Sequence, residues 1–151
     1  MPSFLPIEIT PIEGDGFHLM ISAEANGKAI RMLMDTGASR SVFDKGRMAI
    51  FFGDEMPELE ENLQKSTGLG TSDMQSEAFY LDTLKIGDLV IRNYPAVVLD
   101  MSHVNHSYEE LGLPPIDGVL GSDILMKYGA RIDYRSRTLR INNRRVRPIN
   151  D

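Results

Sequence analysis

One acidic residue, Asp35, stands where an apolar stretch ends, and its position suggests chemistry. It follows Met32, Leu33 and Met34 and precedes the small residues 36–38. An acid here either caps a strand end at the surface or directs its carboxylate into a site, where it could accept and return a proton. The chain contains no cysteine. Thiol nucleophiles, disulfides and thiolate metal sites are therefore excluded.

Two other groups of residues could carry chemistry, but they fit less well. His103 and His106 have a spacing seen in metal sites, yet His18 is the only other histidine. Two exposed side chains beside a helix are therefore the simpler interpretation. Residues 68–73, GLGTSD, resemble a phosphate-binding loop but lack a following Gly-Lys-Ser/Thr and a clear strand before them. We expect neither a metal nor another cofactor.

A predicted β-hairpin accounts for the position of Asp35. Two apolar-rich segments, residues 17–25 and 28–34, flank Asn26-Gly27. That pair readily adopts the positive φ angles of a type I′ turn. The second predicted strand therefore ends directly before Asp35.

The remaining predicted elements are mostly strands. A second hairpin is expected around Gly87-Asp88, with a further strand at 95–100, and two more strands are expected around residues 135–137. Short helices are predicted at residues 54–66, 102–112 and 122–129, the last with a serine cap.

Two segments about eighty residues apart share a pattern. Residues 33–39 (LMDTGAS) and 116–122 (IDGVLGS) both run from apolar residues through small ones and glycine to serine. Either the similarity arises by chance, or the two segments approach one another, as strand-turn elements of this kind often do in folds with an internal two-fold. In the second case the loop after Asp35 would lie beside the second segment.

Three motifs together resemble one known family. Asp35-Thr36-Gly37-Ala38 follows a hairpin, the glycine-rich residues 67–73 come some thirty residues later, and IDGVLGSDIL occupies residues 116–125. In this order and spacing they resemble the retropepsin-like aspartic proteases, which include the retroviral proteases and many bacterial single-domain proteins. The resemblance covers about residues 17–142.

The resemblance implies the fold and the domain organisation. It implies an all-β chain with one to three short helices, built as the closed β-barrel of the acid protease fold. A length of 151 residues suits one domain. We expect a single retropepsin-like domain over residues 1–151, with its core at 17–142 and a basic C-terminal tail at 143–151.

The resemblance also implies an activity. Two carboxyl groups that share one proton supply the base that deprotonates water and the acid that protonates a peptide carbonyl oxygen. The chain has one D-T-G match, and the resemblance places Asp117 in the element that braces the active-site loop. The expected function is an aspartic endopeptidase acting as a homodimer, with Asp35 from each subunit and an extended peptide or protein substrate. The alternative is a catalytically silent dimeric peptide-binding domain of the same fold.

Further residue roles follow from the resemblance. The Thr36 hydroxyl would bond to the partner's backbone, and Gly37 would let the chain turn beside the carboxylate. Ser39 and Ser122 replace an acid and an arginine that pair in retroviral members. The residues expected to support the active-site loop are Thr36, Gly37, Ala38, Gly118, Gly121 and Asp123. The residues expected to form a substrate-binding flap are Gly68, Leu69, Gly70 and Thr71.

Charge is distributed unevenly along the chain. The net charge is −6, yet residues 127–151 carry a net charge of +6. This basic segment either balances an acidic body in solvent or pairs with an acidic partner or a second subunit. We expect no nucleic-acid partner and, without a long apolar stretch, no membrane partner. The first dozen residues do not resemble a secretory signal, so the expected location is cytoplasmic.

Overall fold

The computed structural model describes residues 2–52, 60–61 and 77–147, and these residues form mainly β-strands. The strands are β1 (Pro2–Pro6), β2 (Glu8–Pro11), β3 (Phe17–Ala25), β4 (Lys28–Met34), β5 (Val42–Asp44), β6 (Glu60–Glu61), β7 (Glu77–Ile86), β8 (Leu89–Leu99), β9 (Gly118–Leu120), β10 (Arg131–Asp133) and β11 (Thr138–Asn142). The helices are α1 (Lys45–Phe52), α2 (Ser102–Glu110) and α3 (Ser122–Lys127). The predicted all-β class with short helices is confirmed.

The β3–β4 hairpin forms as predicted and delivers the chain to Asp35. Asn26 and Gly27 have φ angles of 49° and 79°, the left-handed values that a type I′ turn requires. The turn is tied to β7, because the Asn26 N–H donates to the Thr83 carbonyl at 2.9 Å and the Asn26 side-chain oxygen accepts the Thr83 N–H at 3.2 Å. Alternate residues of β4 are buried. This alternation fixes the register of the strand, since a slip by one residue would expose its apolar face.

Six strands close into a barrel. The hydrogen-bonded order of the larger sheet is β2-β3-β4-β9-β5-β8-β7-β6, and an additional pairing of β3 with β7 joins the ring from β3 to β7. Ala25 pairs with Leu84 at this closure. Closure satisfies backbone groups that an open sheet edge would leave unpaired. The predicted closed barrel is confirmed.

The hairpin predicted at Gly87-Asp88 is β7–β8, and Gly87 has a φ of 61°. Residues 95–99 are strand, as predicted at 95–100, but the prediction of a separate strand is wrong, because they continue β8 in the same register against β7. Asn93 lies within this strand with a φ of 50°, a left-handed value that asparagine tolerates. The register against β7 is the same on both sides of it, with Tyr94 opposite Leu81 and Arg92 opposite Thr83.

The parallel pairing of β4 with β9 brings the two similar segments together. Met34 lies opposite Leu120, and one residue further on the Asp35 N–H donates to the Leu120 carbonyl at 3.0 Å. β5 pairs antiparallel with the other edge of β9. The predicted approach of residues 33–39 to residues 116–122 is confirmed.

A second sheet, in the order β1-β11-β10, shares the main apolar core. Leu5, Leu139 and Ile141 are buried in the same cluster as Phe43 and Leu120 of the barrel. β10 and β11 confirm the two strands predicted around residues 135–137. The sequence did not predict β1, whose terminal prolines disfavour a central strand. β1 lies at a sheet edge, where proline is tolerated.

The helices predicted at 102–112 and 122–129 are confirmed as α2 and α3. Gly112 and Gly129 follow them with φ angles of 71° and 57°, as glycine commonly does after a helix. Of the helix predicted at 54–66, the structure describes only Glu60 and Glu61, and the prediction is wrong there, because these two residues form β6, paired with β7. The rest of the predicted helix lies outside the described residues. In the described ranges, no helix has both the length and the apolar character needed to cross a membrane.

The serine cap predicted for α3 is wrong. Gly121 occupies the N-cap position, without a side-chain capping bond, and Ser122 is the first helical residue. The Ser122 hydroxyl donates instead to the Ala38 carbonyl at 3.0 Å. A tertiary contact to the Asp35 loop has replaced the local cap.

Gly118→Ala tests the close packing of β9 against β5. A Cβ atom at residue 118 would lie 2.6 Å from the Val42 carbonyl oxygen, a backbone atom that cannot move without disturbing the sheet. We expect G118A to lower the free energy of unfolding by about 2 kcal/mol, measured by urea denaturation.

Gly46→Ala in α1 is the matched control for this substitution. The nearest atom to a Cβ there is Asp44 Oδ2 at 3.6 Å, and alanine in a helix is favoured over glycine by roughly 0.5–1 kcal/mol. G46A should therefore be as stable as the wild type or more so. Equal losses in both variants would contradict the packing argument.

Candidate active site

Asp35 opens the loop between β4 and β5, and this loop folds back on its own first residue. The Gly37 N–H donates to Asp35 Oδ1 at 2.9 Å, and the Ala38 N–H donates to the Asp35 carbonyl at 3.1 Å. A Cβ at residue 37 would lie 3.3 Å from Asp35 Oδ1, so a larger residue would crowd the carboxylate. Asp35 is half-buried, whereas Thr36 is exposed. A carboxylate held in this way can bind a water molecule and exchange a proton with it.

The Asp35 loop rests on the segment that follows β9. The Ser122 N–H donates to the Ala38 carbonyl at 2.8 Å, alongside the bond from the Ser122 hydroxyl. A Cβ at Gly121 would lie 2.8 Å from the Ala38 carbonyl oxygen and 2.8 Å from the Arg40 carbonyl carbon. The two loops therefore touch through their backbones, and glycine at residue 121 permits this contact.

A buried hydrogen-bond network joins the far end of the loop to α3. Both carboxylate oxygens of Asp123 accept the Ser41 N–H at 3.0 Å, and Oδ1 also accepts the Ser41 hydroxyl at 2.7 Å. The Ser41 hydroxyl in turn accepts the Gly121 N–H at 2.8 Å. Because Ser41 is 1% exposed, its polar atoms depend on these partners.

Sequence reasoning assigned Asp123 to loop support but missed Ser41. The available signal was weak, a polar residue directly before the apolar start of β5. Tyr94 of β8 lies close to the same network. Burial, reinforced by the negative charge of Asp123, raises the pKa of the Tyr94 phenol far above its ordinary value, so this phenol keeps its proton.

Asp117 is buried at the other end of β9 from the Asp35 loop. It is 3% exposed and accepts the Arg31 N–H at 2.7 Å and the Arg47 Nε–H at 2.8 Å. β4 and β9 run parallel, so Asp35 lies beyond the end of β9 whereas Asp117 precedes its start. The three residues of β9 separate the two acids by roughly 10 Å. Asp117 therefore does not join Asp35.

Asp44 completes this second polar cluster. It is 4% exposed and accepts the Met101 N–H at 2.8 Å and the Arg47 N–H at 3.0 Å. Arg47 thus bonds to Asp44 through its backbone and to Asp117 through its side chain. Sequence reasoning missed Asp44 and Arg47, because no local motif marks two residues that meet Asp117 only after folding.

Other sequence candidates are not brought to the Asp35 loop. His106 lies on α2, where its Nε2 is 3.1 Å from Glu110 Oε1, and His103 is exposed on the same helix. Among the residues that the structure describes, no three His, Cys, Asp or Glu side chains form a group that could hold a metal ion. Gly68, Leu69, Gly70 and Thr71, predicted as the flap, lie outside the described residues.

The barrel, the paired loops and the carboxylate at their junction are features of an aspartic protease. A model of the aspartyl protease family matches residues 21–124, which run from β3 through the Asp35 loop to Asp123 in α3. The chain belongs to the aspartyl protease family. A search of curated protein sequences finds no match to it.

Solved structures share the fold. The chain is 21% identical to a retropepsin-like aspartic protease from Rickettsia conorii, with a TM-score of 0.54 over 93% of this chain and 89% of that chain. The retroviral protease-like domain of Ddi1 from Leishmania major is 18% identical, with a TM-score of 0.54 over 89% and 97% of the two chains. EIAV protease in complex with the inhibitor HBY-793 is 18% identical, with a TM-score of 0.55 over 82% and 99%. The predicted retropepsin-like fold is confirmed.

Removing the Asp123 carboxylate tests the network that holds the loop. Asp123→Ala leaves the buried Ser41 N–H and hydroxyl without their acceptor, so we expect a loss of about 2 kcal/mol in the free energy of unfolding. In a double-mutant cycle with Ser41→Ala, the combined loss should fall short of the sum by about 1 kcal/mol. Chemical denaturation of the four proteins measures this coupling.

Asp133→Asn provides the control for that cycle. Asp133 is exposed and accepts the N–H groups of Arg135 and Ser136, a turn interaction far less buried than that of Asp123. We expect a change within roughly 0.5 kcal/mol. Fully additive losses for Asp123→Ala and Ser41→Ala would show that the two side chains do not act together.

Proposed function

We propose that this chain is an aspartic endopeptidase whose catalytic pair consists of Asp35 from each of two identical subunits. The observation that carries the proposal is the half-buried Asp35 carboxylate, held through Oδ1 by the Gly37 N–H. The loop that bears it is braced by Ser122 and Asp123. Such a rigid support suits a group that must hold a water molecule and move its proton. Membership of the aspartyl protease family supports the assignment.

The second carboxyl group is proposed to come from a second copy of the chain. Acid–base hydrolysis of a peptide bond needs both a base and an acid. The neighbouring acids Asp44, Asp117 and Asp123 each accept bonds from two or more donors within their own polar clusters. Asp35 takes part in none of these hydrogen bonds, which supports a second carboxyl from outside the chain. A two-fold axis beside the loop would bring two Asp35 side chains together.

In the proposed mechanism the two Asp35 carboxyls lie side by side and share one proton, because two adjacent carboxylates repel each other and are not both ionised. The ionised group takes a proton from water, and the water oxygen bonds to the peptide carbonyl carbon. The protonated group gives its proton to the carbonyl oxygen. In the collapse of the tetrahedral intermediate the C–N bond breaks, the carboxyl that took the proton from water gives it to the leaving amine, and the other carboxylate takes a proton back from a hydroxyl of the intermediate. The Thr36 hydroxyl would bond to the partner's backbone and hold the two loops together.

The substrate in this proposal is a peptide segment bound in extended form. Main-chain hydrogen bonds would provide affinity, and pockets for alternate side chains would provide selectivity. Residues 68–71 would act as a flap that closes over the peptide and excludes water. One domain of residues 1–151 from each subunit would form half of the site.

Mixing wild-type protein with Asp35→Asn tests both the catalytic residue and its pairing. The variant alone should lose at least about 10²-fold in cleavage rate, because it cannot act as base. After subunit exchange in an equal mixture, about one dimer in four contains two wild-type subunits. If both carboxyls are required, the mixture should therefore have about a quarter of the activity of wild-type protein at the same total concentration. If each subunit acted alone, it would have about half. Cleavage of a pooled peptide library, followed by mass spectrometry, measures the rates.

Sedimentation velocity on the same proteins is the control. Asparagine is close in shape to aspartate, so D35N should show the wild-type fold and the wild-type dimer. A mixture whose activity falls in proportion to the wild-type fraction would contradict the shared pair. Dimers that bind library peptides but cleave none would favour the catalytically silent peptide-binding domain.

A further inference from the structure

A groove beside the Asp35 loop has no role in the proposed reaction. It is an open depression of about 430 Å³ between the loop, β8, α3 and Arg145 of the C-terminal tail. Ser39 and Arg40 of the loop lie on one side of it, and Tyr94, Asp123 and Lys127 belong to the same lining.

The groove is strongly basic although the whole chain has a net charge of −6. Arg40, Arg92, Lys127 and Arg145, from four separate parts of the sequence, all line it. Among the described residues of the lining, Asp123 is the only acid, and its carboxylate is already bonded to Ser41. The groove therefore has a clear excess of positive charge.

The described part of the basic C-terminal tail, residues 143–147, is held at the groove by backbone hydrogen bonds. The Val146 N–H donates to the Lys127 carbonyl at 2.8 Å, and the Asn142 N–H donates to the Tyr128 carbonyl at 2.9 Å. These bonds lay residues 143–146 against the end of α3 and bring Arg145 into the lining. Part of the charge that the sequence concentrates after residue 126 is thus fixed beside the active-site loop.

Arg92, Lys127 and Arg145 form no ion pair with any residue in the described ranges. Cations collected in one depression repel each other, and the same potential attracts an anionic group. Guanidinium groups match carboxylates well, because their N–H donors can bond to both carboxylate oxygens. The chemistry of the lining suits an acidic side chain.

The groove is within reach of a peptide bound at Asp35. Arg40 follows Asp35 by five residues, so at most about 18 Å of chain separates them, and the turn at residues 35–38 shortens this distance. An extended peptide advances about 3.3 Å per residue. A side chain roughly three to five positions from the scissile bond can therefore enter the groove.

We infer that this groove is a substrate subsite that selects Asp or Glu about three to five residues from the scissile bond. The inference rests on the proposed endopeptidase function. Because the cations are partly or fully exposed, each contact contributes modestly, and selectivity comes from several charges that act on the same segment.

A binding measurement on the inactive Asp35→Asn protein tests the groove without cleavage. Two fluorescein-labelled peptides of equal length and otherwise identical sequence carry either a Glu-Glu-Glu or a Gln-Gln-Gln run. Fluorescence anisotropy should show binding of the glutamate peptide about tenfold tighter at low salt. Added salt should remove most of this difference, since it screens exposed charges.

Two double variants of D35N locate the effect. Lys127→Gln with Arg145→Gln should weaken binding of the glutamate peptide by about fivefold and leave the glutamine peptide unchanged. The matched control is Arg131→Gln with Arg135→Gln, which removes the same charge from exposed residues outside the groove. The control should bind both peptides as D35N does. Equal weakening by both double variants would assign the effect to net charge and overturn the subsite.

Cleavage by the active protein provides the second readout. The groove variant should raise KM for library peptides with an acid at these positions while kcat stays near its wild-type value, because the contact is remote from the reacting atoms. Equal affinity for the glutamate and glutamine peptides overturns the subsite but leaves the endopeptidase proposal intact. Selective binding of the glutamate peptide without cleavage of any library peptide overturns the endopeptidase proposal and leaves an acidic-peptide groove. Tighter binding of inorganic polyphosphate than of the glutamate peptide overturns the peptide assignment.

Discussion

The pairing of β4 with β9 is the constraint on which the candidate site depends. These short parallel strands lie far apart in the sequence, yet they end side by side, and the hydrogen bond from the Asp35 N–H to the Leu120 carbonyl extends the ladder into the loops. Glycines make this arrangement possible. Gly118 lets β5 approach β9, and Gly121 lets the two loops meet at backbone distance. The Asp35 carboxylate is consequently held by main-chain geometry rather than by a flexible surface loop.

Three of the acids near this junction, Asp44, Asp117 and Asp123, stabilise the fold, and one, Asp35, is available for chemistry. Burial of a carboxylate is costly unless donors compensate it, and Asp44, Asp117 and Asp123 meet that requirement through backbone N–H groups, Arg47 and Ser41. Asp35 differs because it remains half-buried with one donor from Gly37. Because Asp35 is the only available carboxyl among these four described acids, the proposed activity depends on a second subunit, and assembly would control the reaction by mass action.

Much of the fold could be predicted from local patterns. The Asn26-Gly27 turn marked the first hairpin, Gly87-Asp88 marked the second, and glycines marked the ends of α2 and α3, because each feature reflects conformational preferences of a few adjacent residues. Predictions failed where a distant contact decided the outcome. The Ser122 hydroxyl bonds to Ala38 instead of capping its helix, and residues 95–99 continue β8 against β7 instead of forming a separate strand.

The sequence by itself determined the class of the protein and the residue to examine. A D-T-G-A motif after a hairpin, followed at the right spacing by IDGVLGSDIL, indicates the family because these residue types serve local turns and close backbone contacts. Only the tertiary structure decided which partners those residues have. Ser41 with Asp123, Arg47 with Asp117, and Arg145 with Lys127 at one groove are separated by 18 to 82 positions along the chain. Hydrogen bonds and electrostatic potential depend on distance in space, and distance in space is set by how the strands close into a barrel.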